Sequence, residues 1–214
     1  MGISAKNKNS IDHLIGQIDV AVQSVFGQPI GSRDNPANEE CSGLTATENK
    51  HSAGLMRVNQ TGEVCAQALY QGQAMVARNP ANREALLNAA SQEVDHLVWC
   101  NQRLDELDSK PSILNPIFYV SSFSIGALVG LLGDSVSKGF VEATEHQVCE
   151  HLSEHLAELP ESDIRSRQIL EKMREEEAAH GEQALSDGGI EFPKLIKKAM
   201  RTVSRLMTNT TYRF

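Results

Sequence analysis

Two short segments of the sequence repeat the same pair of side chains at the same spacing. Glu93 and His96 lie three positions apart, and so do Glu177 and His180. Residues three positions apart share one face of a helix, so each pair can direct a carboxylate and an imidazole at the same point. Both groups are ligands for divalent metal ions. The repeated spacing therefore predicts two metal-binding steps on two helices.

Two further glutamates interrupt the apolar stripes of neighbouring helices. A buried ionised carboxylate costs several kcal/mol, at the order-of-magnitude level, unless it is paired or binds a metal. Two divalent cations would balance four such carboxylates, as in a carboxylate-bridged di-metal site of a four-helix bundle. The oxygen-rich set with imidazole favours iron or manganese over zinc. The predicted metal ligands are Glu63, Glu93, His96, Glu142, Glu177 and His180.

Other acidic residues and histidines are expected to lie outside this set. Glu48 and His51 have the same spacing, but they lie where a loop becomes a helix, which indicates a surface position. Glu145 or His146 could support the ligands without binding metal. The remaining side chains are expected on solvated faces or behind the ligands: His151, His155, Glu171, Glu175 and Glu176.

Composition limits the fold class and the partners. The 214 residues contain 40% hydrophobic and only 5% aromatic residues, which favours one all-α core. The net charge of −8 argues against nucleic acid as a partner. Residues 194–214 contain six basic residues and no acidic one. This basic end indicates a surface that meets something anionic, such as lipid headgroups.

The cysteines and the N-terminus indicate a reducing compartment. Asp12, His13 and Asp19 interrupt any apolar stretch that a signal peptide would need. The four cysteines are widely separated, which predicts reduced thiols. They are Cys41, Cys65, Cys100 and Cys149.

Apolar periodicity predicts a four-helix bundle with additional N- and C-terminal helices, and the two Glu-x-x-His steps are typical of a ferritin-like bundle. Residues 1–50 are expected to hold an amphipathic helix at 11–26 and a surface loop at 27–50. The bundle occupies 51–190, and 191–214 forms a basic amphipathic helix, all within a single domain. The predicted bundle helices are 51–78, 81–108, 128–159 and 161–187.

Residues 111–133 contain no charged side chain. The segment is almost long enough for a membrane span, but serines and glycines dilute its hydrophobicity. One interpretation is a buried crossover that continues into the next helix. The other is an apolar surface that enters a bilayer.

Four segments resemble one known family. Residues 57–73, RVNQTGEVCAQALYQGQ, resemble the first-helix signature of the demethoxyubiquinone hydroxylases of ubiquinone biosynthesis. Residues 93–97, 141–145 and 175–181 resemble the other ligand segments of that family. The resemblance covers about residues 51–190. Gln60 departs from the family pattern, which has His there in many members, but it is not a ligand position.

The resemblance implies a non-haem di-iron monooxygenase. Its substrate would be a polyprenylated methoxy-methyl-benzoquinol, hydroxylated at an open ring position with O2 and two electrons from an external reductant, for which NADH is the candidate. Glu93 and Glu177 would bridge the irons. One iron would be held by Glu63, Glu93 and His96, and the other by Glu142, Glu177 and His180.

The implied substrate has a membrane-resident tail. We therefore expect a peripheral protein on the cytoplasmic face of the bacterial cell membrane, with 111–133 and the C-terminal helix as candidate contacts, and other ubiquinone-biosynthesis proteins as candidate partners. Two alternatives remain open at this point. One is a ferritin-like iron-storage or peroxide-scavenging protein, and the other is a helical interaction protein without metal.

Overall fold

The computed structural model describes residues 5–38 and 43–213, and the side chains of 5–14 and 17 lie outside that description. Within these residues the chain forms helices and no strand, which confirms the all-α prediction. The helices are α1 (Ala5–Phe26), α2 (Ala46–Val76), α3 (Pro80–Glu106), α4 (Asn115–Leu131), α5 (Asp134–Glu158), α6 (Ile164–Ser186) and α7 (Lys194–Thr211).

Two antiparallel hairpins make the bundle. Helix α2 packs against α3, and α5 packs against α6. The α2–α3 and α5–α6 connections are short, as antiparallel neighbours require. Helices α1, α4 and α7 all pack on α2, which is therefore the central helix of the molecule. The predicted four-helix bundle with additional N- and C-terminal helices is confirmed.

Local capping residues set the helix ends. Thr45 and Glu48 form a reciprocal capping box, so α2 begins earlier than predicted. Glu48 is therefore a capping residue, as its predicted surface position allows. At α6, the Asp163 side chain accepts a hydrogen bond from the backbone N–H of Ser166 at 3.0 Å. This cap places the start of α6 at Ile164 and not at 161.

The segment before α5 differs from the prediction. The sequence predicts the third bundle helix from residue 128, but Gly133 has φ = 114° and interrupts the helix there. This left-handed backbone conformation favours glycine and ends a helix. Residues 115–131 therefore form the separate helix α4, and α5 begins at Asp134.

Helix α4 is not a buried crossover. Its small residues lie so close to α2 that a Cβ added at Gly126 would come within 2.2 Å of the Leu69 carbonyl oxygen. Its other face carries exposed apolar side chains, including Ile117 at 64% and Leu128 at 64% exposure. The interpretation of this segment as a buried crossover is therefore wrong. Its charge-free composition reflects an exposed apolar face.

Two apolar clusters fill the bundle core on either side of a polar layer. The first is bulky and contains Met56, Trp99, Cys100, Leu104, Leu152, Leu156, Ile169, Leu170 and Met173. The second is built mainly from small side chains and contains Ala66, Tyr70, Ala74, Ala90, Val141 and Ala184. The polar layer between them holds the glutamates and histidines that the sequence singles out.

Helix α7 packs on the bundle through its polar side. Lys197 Nζ lies 3.0 Å from Glu142 of α5, and Arg201 pairs with Glu150. Leu195, Val203 and Leu206 are turned away from the bundle.

None of the helices in the described part of the chain combines the length and the apolarity that crossing a membrane requires.

The described cysteines, Cys65, Cys100 and Cys149, are free thiols, whereas Cys41 lies outside the described residues.

Candidate metal centre

The polar layer contains two overlapping groups of potential metal ligands. Within each group, one donor atom per side chain lies within 4.8 Å of the others. Glu93 and Glu177 belong to both groups, so the two groups share an edge. The first group is Glu63, Glu93, His96 and Glu177, and the second is Glu93, Glu145, Glu177 and His180.

The two shared carboxylates each face both histidines. Glu93 places Oε2 2.9 Å from His96 Nδ1 and Oε1 3.3 Å from His180 Nδ1. Glu177 places Oε1 2.9 Å from His96 Nδ1 and Oε2 3.2 Å from His180 Nδ1. This is the arrangement of two carboxylates that can bridge a pair of metal ions. Glu63 completes the His96 end, with its Oε2 3.6 Å from His96 Nδ1.

The cluster fits a cationic group at its centre. Glu63, Glu93, Glu145 and Glu177 are all at most 3% exposed. Within the described part of the chain, Glu63 Oε2 and Glu145 Oε1 have no hydrogen-bond partner. Buried polar atoms are nearly always satisfied in folded proteins, and an unpaired buried carboxylate is costly. Oxygen-preferring divalent cations would satisfy these atoms, so the residues present fit a di-metal site.

Proton affinities in the cluster lead to the same conclusion. Burial raises the pKa of the Glu63 and Glu145 carboxyls well above their usual value. Burial lowers the pKa of His180, but hydrogen bonds to Glu177 and Glu93 outweigh it and raise that pKa to about 10. Without cations, the cluster therefore keeps protons between its carboxylates. Metal binding should displace these protons.

The structure places Glu145 where the sequence predicts Glu142. Glu142 is buried, but its carboxylate pairs with Lys197 and not with the cluster. Its neighbour one turn along, Glu145, contributes a carboxylate oxygen to the second ligand group instead. The structure brings the other five predicted ligands together, and it replaces Glu142 by Glu145 in this arrangement.

Helix geometry explains this exchange. Val76 is the last residue of α2, and Pro80 is the first residue of α3. The number of residues from Glu63 to Val76 equals the number from Pro80 to Glu93. The other hairpin has the same symmetry, because Glu145 is as far before Glu158 as Glu177 is after Ile164. Partners in an antiparallel hairpin meet when they are equally far from the turn. Glu142 lies almost one helical turn further away, or about 4.5 Å along the axis.

Each histidine is held from its outer side as well. His96 Nε2 lies 2.7 Å from Glu176 Oε2, and His180 Nε2 lies 2.6 Å from Gln92 Oε1. Both partners are acceptors, so each Nε2–H donates and leaves Nδ1 free to face a metal. The sequence allows Glu176 either this position or one in solvent. No sequence signal indicates Gln92, because a glutamine on a polar helix face is common.

The other candidate histidines lie apart from the cluster. His51 contacts the Tyr212 hydroxyl and the Glu158 carbonyl. His146 is exposed, and His151 contacts Ser204. His155 is buried against Asn59, and its burial lowers its pKa to about 4. These positions agree with their exclusion from the predicted ligand set.

Known proteins resemble the whole chain. Residues 50–211 match the family model described as ubiquinone biosynthesis protein COQ7. A 3-demethoxyubiquinol 3-hydroxylase of Pseudomonas paraeruginosa (strain DSM 24068 / PA7) is 51% identical over 212 residues, which is 97% of this chain and 98% of the relative. The protein of the same name from Stutzerimonas stutzeri (strain A1501) is 51% identical over 214 residues, covering 98% and 99%.

Proposed function

The chain belongs to the ubiquinone biosynthesis protein COQ7 family, and from this premise we propose that it is a di-iron monooxygenase that hydroxylates the ring of demethoxyubiquinol. One observation supports the metal site in this proposal. The carboxylates of Glu93 and Glu177 each contact both histidines, His96 and His180, in a buried layer. In the reaction, one atom of O2 becomes the new ring hydroxyl and the other becomes water. Two electrons come from an external reductant, for which NADH is our candidate.

The ligands divide into two ends with a shared middle. Glu63 and His96 would hold one iron, Glu145 and His180 the other, and the two spanning carboxylates would bridge them. Bound iron would supply the activation of O2. Four carboxylates balance two divalent cations, and neutral imidazoles complete each end.

The surrounding residues keep the site dry and ordered. On one side the bulky cluster with Cys100 and Met173 is fully buried, and on the other the small-residue cluster with Ala66 and Val141 closes the layer. Exclusion of water strengthens the electrostatic interactions inside such a site. Exclusion of water also prevents side reactions.

The storage and scavenging alternative is less well supported. Both functions would use the same ligands as the hydroxylase, but the curated relatives that match nearly the full chain are named hydroxylases. A storage protein also has no need of the exposed apolar faces on α4 and α7.

We further propose that these faces contact the membrane in which the polyprenyl substrate resides. Helix α7 carries exposed Leu195, Val203 and Leu206 together with exposed Lys194 and Lys198. Apolar side chains beside basic ones are typical of helices that lie in an anionic membrane surface. The protein would then be peripheral on the cytoplasmic face of the bacterial cell membrane, near other ubiquinone-biosynthesis proteins.

Genetic complementation tests the enzymatic function. The chain is expressed in a bacterial strain that lacks its own hydroxylase and accumulates the demethoxy quinone. We expect wild type to restore ubiquinone and Glu177→Gln to fail, although the soluble variant accumulates. Glu175→Gln is the matched control, because that side chain two residues away is 74% exposed. Failure of wild type, or rescue by Glu177→Gln, would contradict the proposal.

A further inference from the structure

A loop residue reaches the outer side of the metal cluster. Arg33 lies between α1 and α2, and its Nη1 is 2.6 Å from Glu176 Oε1. The other oxygen of Glu176 lies 2.7 Å from His96 Nε2. One carboxylate is therefore held between a guanidinium and a ligand imidazole. Lys172 adds a second cation, with Nζ 3.2 Å from Glu176 Oε1.

Arg33 is itself held by Asp95 and by Trp99. Its Nε lies 2.6 Å from Asp95 Oδ2, and Asp95 is only 3% exposed. The backbone N–H of Ser32 donates to the same carboxylate at 2.5 Å. The guanidinium carbon lies 4.9 Å from the centre of the Trp99 ring. The Arg33 side chain is 39% exposed, but its ion pairs and its ring contact restrict the planar guanidinium, so it helps to orient Glu176.

Among the described residues, no ion pair of this kind supports the other end of the cluster. His180 Nε2 donates to the neutral amide oxygen of Gln92. The His180 side chain is 18% exposed, whereas that of His96 is fully buried. A charged acceptor makes a stronger hydrogen bond than a neutral one and makes the opposite ring nitrogen a better metal ligand. The two ends therefore differ in the strength, burial and rigidity of their histidine.

We propose that Arg33 and Glu176 are positioning residues that fix His96, and that they make the His96 end of the cluster the tighter of its two metal positions. This inference rests on the proposed di-metal site and deepens it. Metal should load first at Glu63 and His96 and then at Glu145 and His180.

A cobalt(II) titration of the metal-free full chain tests this order. Trp99 is the only tryptophan, and its ring centre lies 5.3 Å from that of His96. Its fluorescence therefore reports on the His96 end, while the visible absorption of cobalt reports on both positions. In wild type we expect the first equivalent to bind more tightly and to produce most of the fluorescence change.

Substitutions at the two ends should separate the two equivalents. Glu176→Gln keeps the size of the side chain and removes its charge, so we expect affinity for the first equivalent to fall about 10- to 100-fold. Arg33→Ala should act in the same direction, and Arg33→Lys should lose less because it keeps a cation. Gln92→Ala is the matched control at the other histidine, and it should weaken only the second equivalent.

The outcomes distinguish this inference from the proposed site. If wild type binds two equivalents with equal affinity, or if Glu176→Gln leaves the first unchanged, the positioning role is overturned. Equal weakening of both equivalents, with a lower melting temperature, would indicate general loosening and would also overturn it. A wild-type chain that binds no cobalt would contradict the di-metal site itself and this inference with it.

Discussion

At the scale of single residues, the metal centre depends on charge that is buried without partners. Among the described residues, Glu63 and Glu145 each have a buried oxygen without a hydrogen bond. A buried polar atom without a hydrogen bond destabilises the folded protein unless another interaction compensates for its lost hydration. Glu142 also has a buried oxygen without a hydrogen bond, Oε2, but Lys197 Nζ of α7 lies 3.0 Å from it. We therefore expect the ligand role to belong to Glu145, which has no such cation beside it in the described residues, whereas Glu142 pairs with α7.

Substitution of these two glutamates tests the assignment. We expect Glu145→Gln to lower the iron content from about two per chain toward one, because the His180 end loses its own carboxylate. Glu142→Gln should keep both irons and lower the melting temperature, since it removes the charge that Lys197 pairs with in a largely buried ion pair, and such a loss costs up to about 3–5 kcal/mol. Metal analysis after gel filtration measures the first effect, and thermal unfolding measures the second. Iron loss in Glu142→Gln alone would reverse the assignment.

The sequence could predict five of the six clustered side chains: four from the Glu-x-x-His spacing, which does not depend on where a helix ends, and Glu63 from its place in an apolar stripe. It could not separate Glu142 from Glu145, since both fit the apolar stripe of α5. Only the distance from the turn distinguishes them. A start of α6 at 161 would place Glu177 further from the turn, level with Glu142. The Asp163 cap moves that start to Ile164 and favours Glu145.

At the scale of helices, the close contact between α2 and α4 depends on glycines, which have no Cβ. A Cβ at Gly72 would come within 2.2 Å of the Phe123 carbonyl oxygen, and one at Gly126 would approach the Leu69 carbonyl equally closely. A flexible side chain could move away from such a Cβ, but the backbone atoms of a helix cannot. Asn115 then fixes the N-terminal end of α4, because it accepts from Thr61 at 2.7 Å and donates to Gln60 at 2.8 Å.

Gly126→Val should therefore separate the two helices. Overpacking against backbone costs about 1–3 kcal/mol, so we expect a clear fall in the free energy of unfolding, measured by urea denaturation. Gly62→Ala is the matched control on α2, because a Cβ there would meet nothing within 4 Å. That change should be neutral or stabilise by up to about 1 kcal/mol. Equal stability of the two variants would contradict the close packing of α4.

The sequence indicates this element only in part. The absence of charge in 111–133 shows that the segment meets something apolar, but composition alone does not distinguish a protein core from a lipid surface. By composition, the glycines only dilute a hydrophobic run. In the structure, Gly126 and Gly130 form the face that approaches α2, and the larger side chains are left outside. Which face of α4 is exposed depends on how α4 packs against α2, a helix distant along the chain. The local sequence pattern does not predict that packing.

At the scale of the whole molecule, the positions of polar and apolar groups are unusual, because the candidate metal centre is polar and buried and part of the exposed surface is apolar. The cluster is rich in carboxylates and mostly buried, whereas three helices around α2 expose apolar side chains: Phe26 on α1, Val120 and Leu128 on α4, and Leu195 and Leu206 on α7. Exposed apolar patches on this scale indicate an interaction surface. The polyprenylated substrate that we propose would explain both features, because its ring would enter the bundle while its tail stayed in the bilayer.

Removal of residues 194–214 would be a poor test of membrane binding, because α7 also pairs with Glu142 and buries Thr211. The triple change Leu195→Gln, Val203→Gln and Leu206→Gln is sharper, since it alters only the exposed face. Each side chain that enters a membrane interface gains about 1 kcal/mol or more. We therefore expect binding to vesicles containing phosphatidylglycerol to fall at least about tenfold in cosedimentation.

Two controls make the result specific. Leu87→Gln changes an exposed leucine of α3, far in sequence from the apolar faces, and should leave vesicle binding unchanged. The triple variant should still bind iron, because none of its substitutions touches the cluster. If it sediments with vesicles as wild type does, α7 does not anchor the protein. If it loses iron as well, the apolar face supports the fold and not the membrane contact.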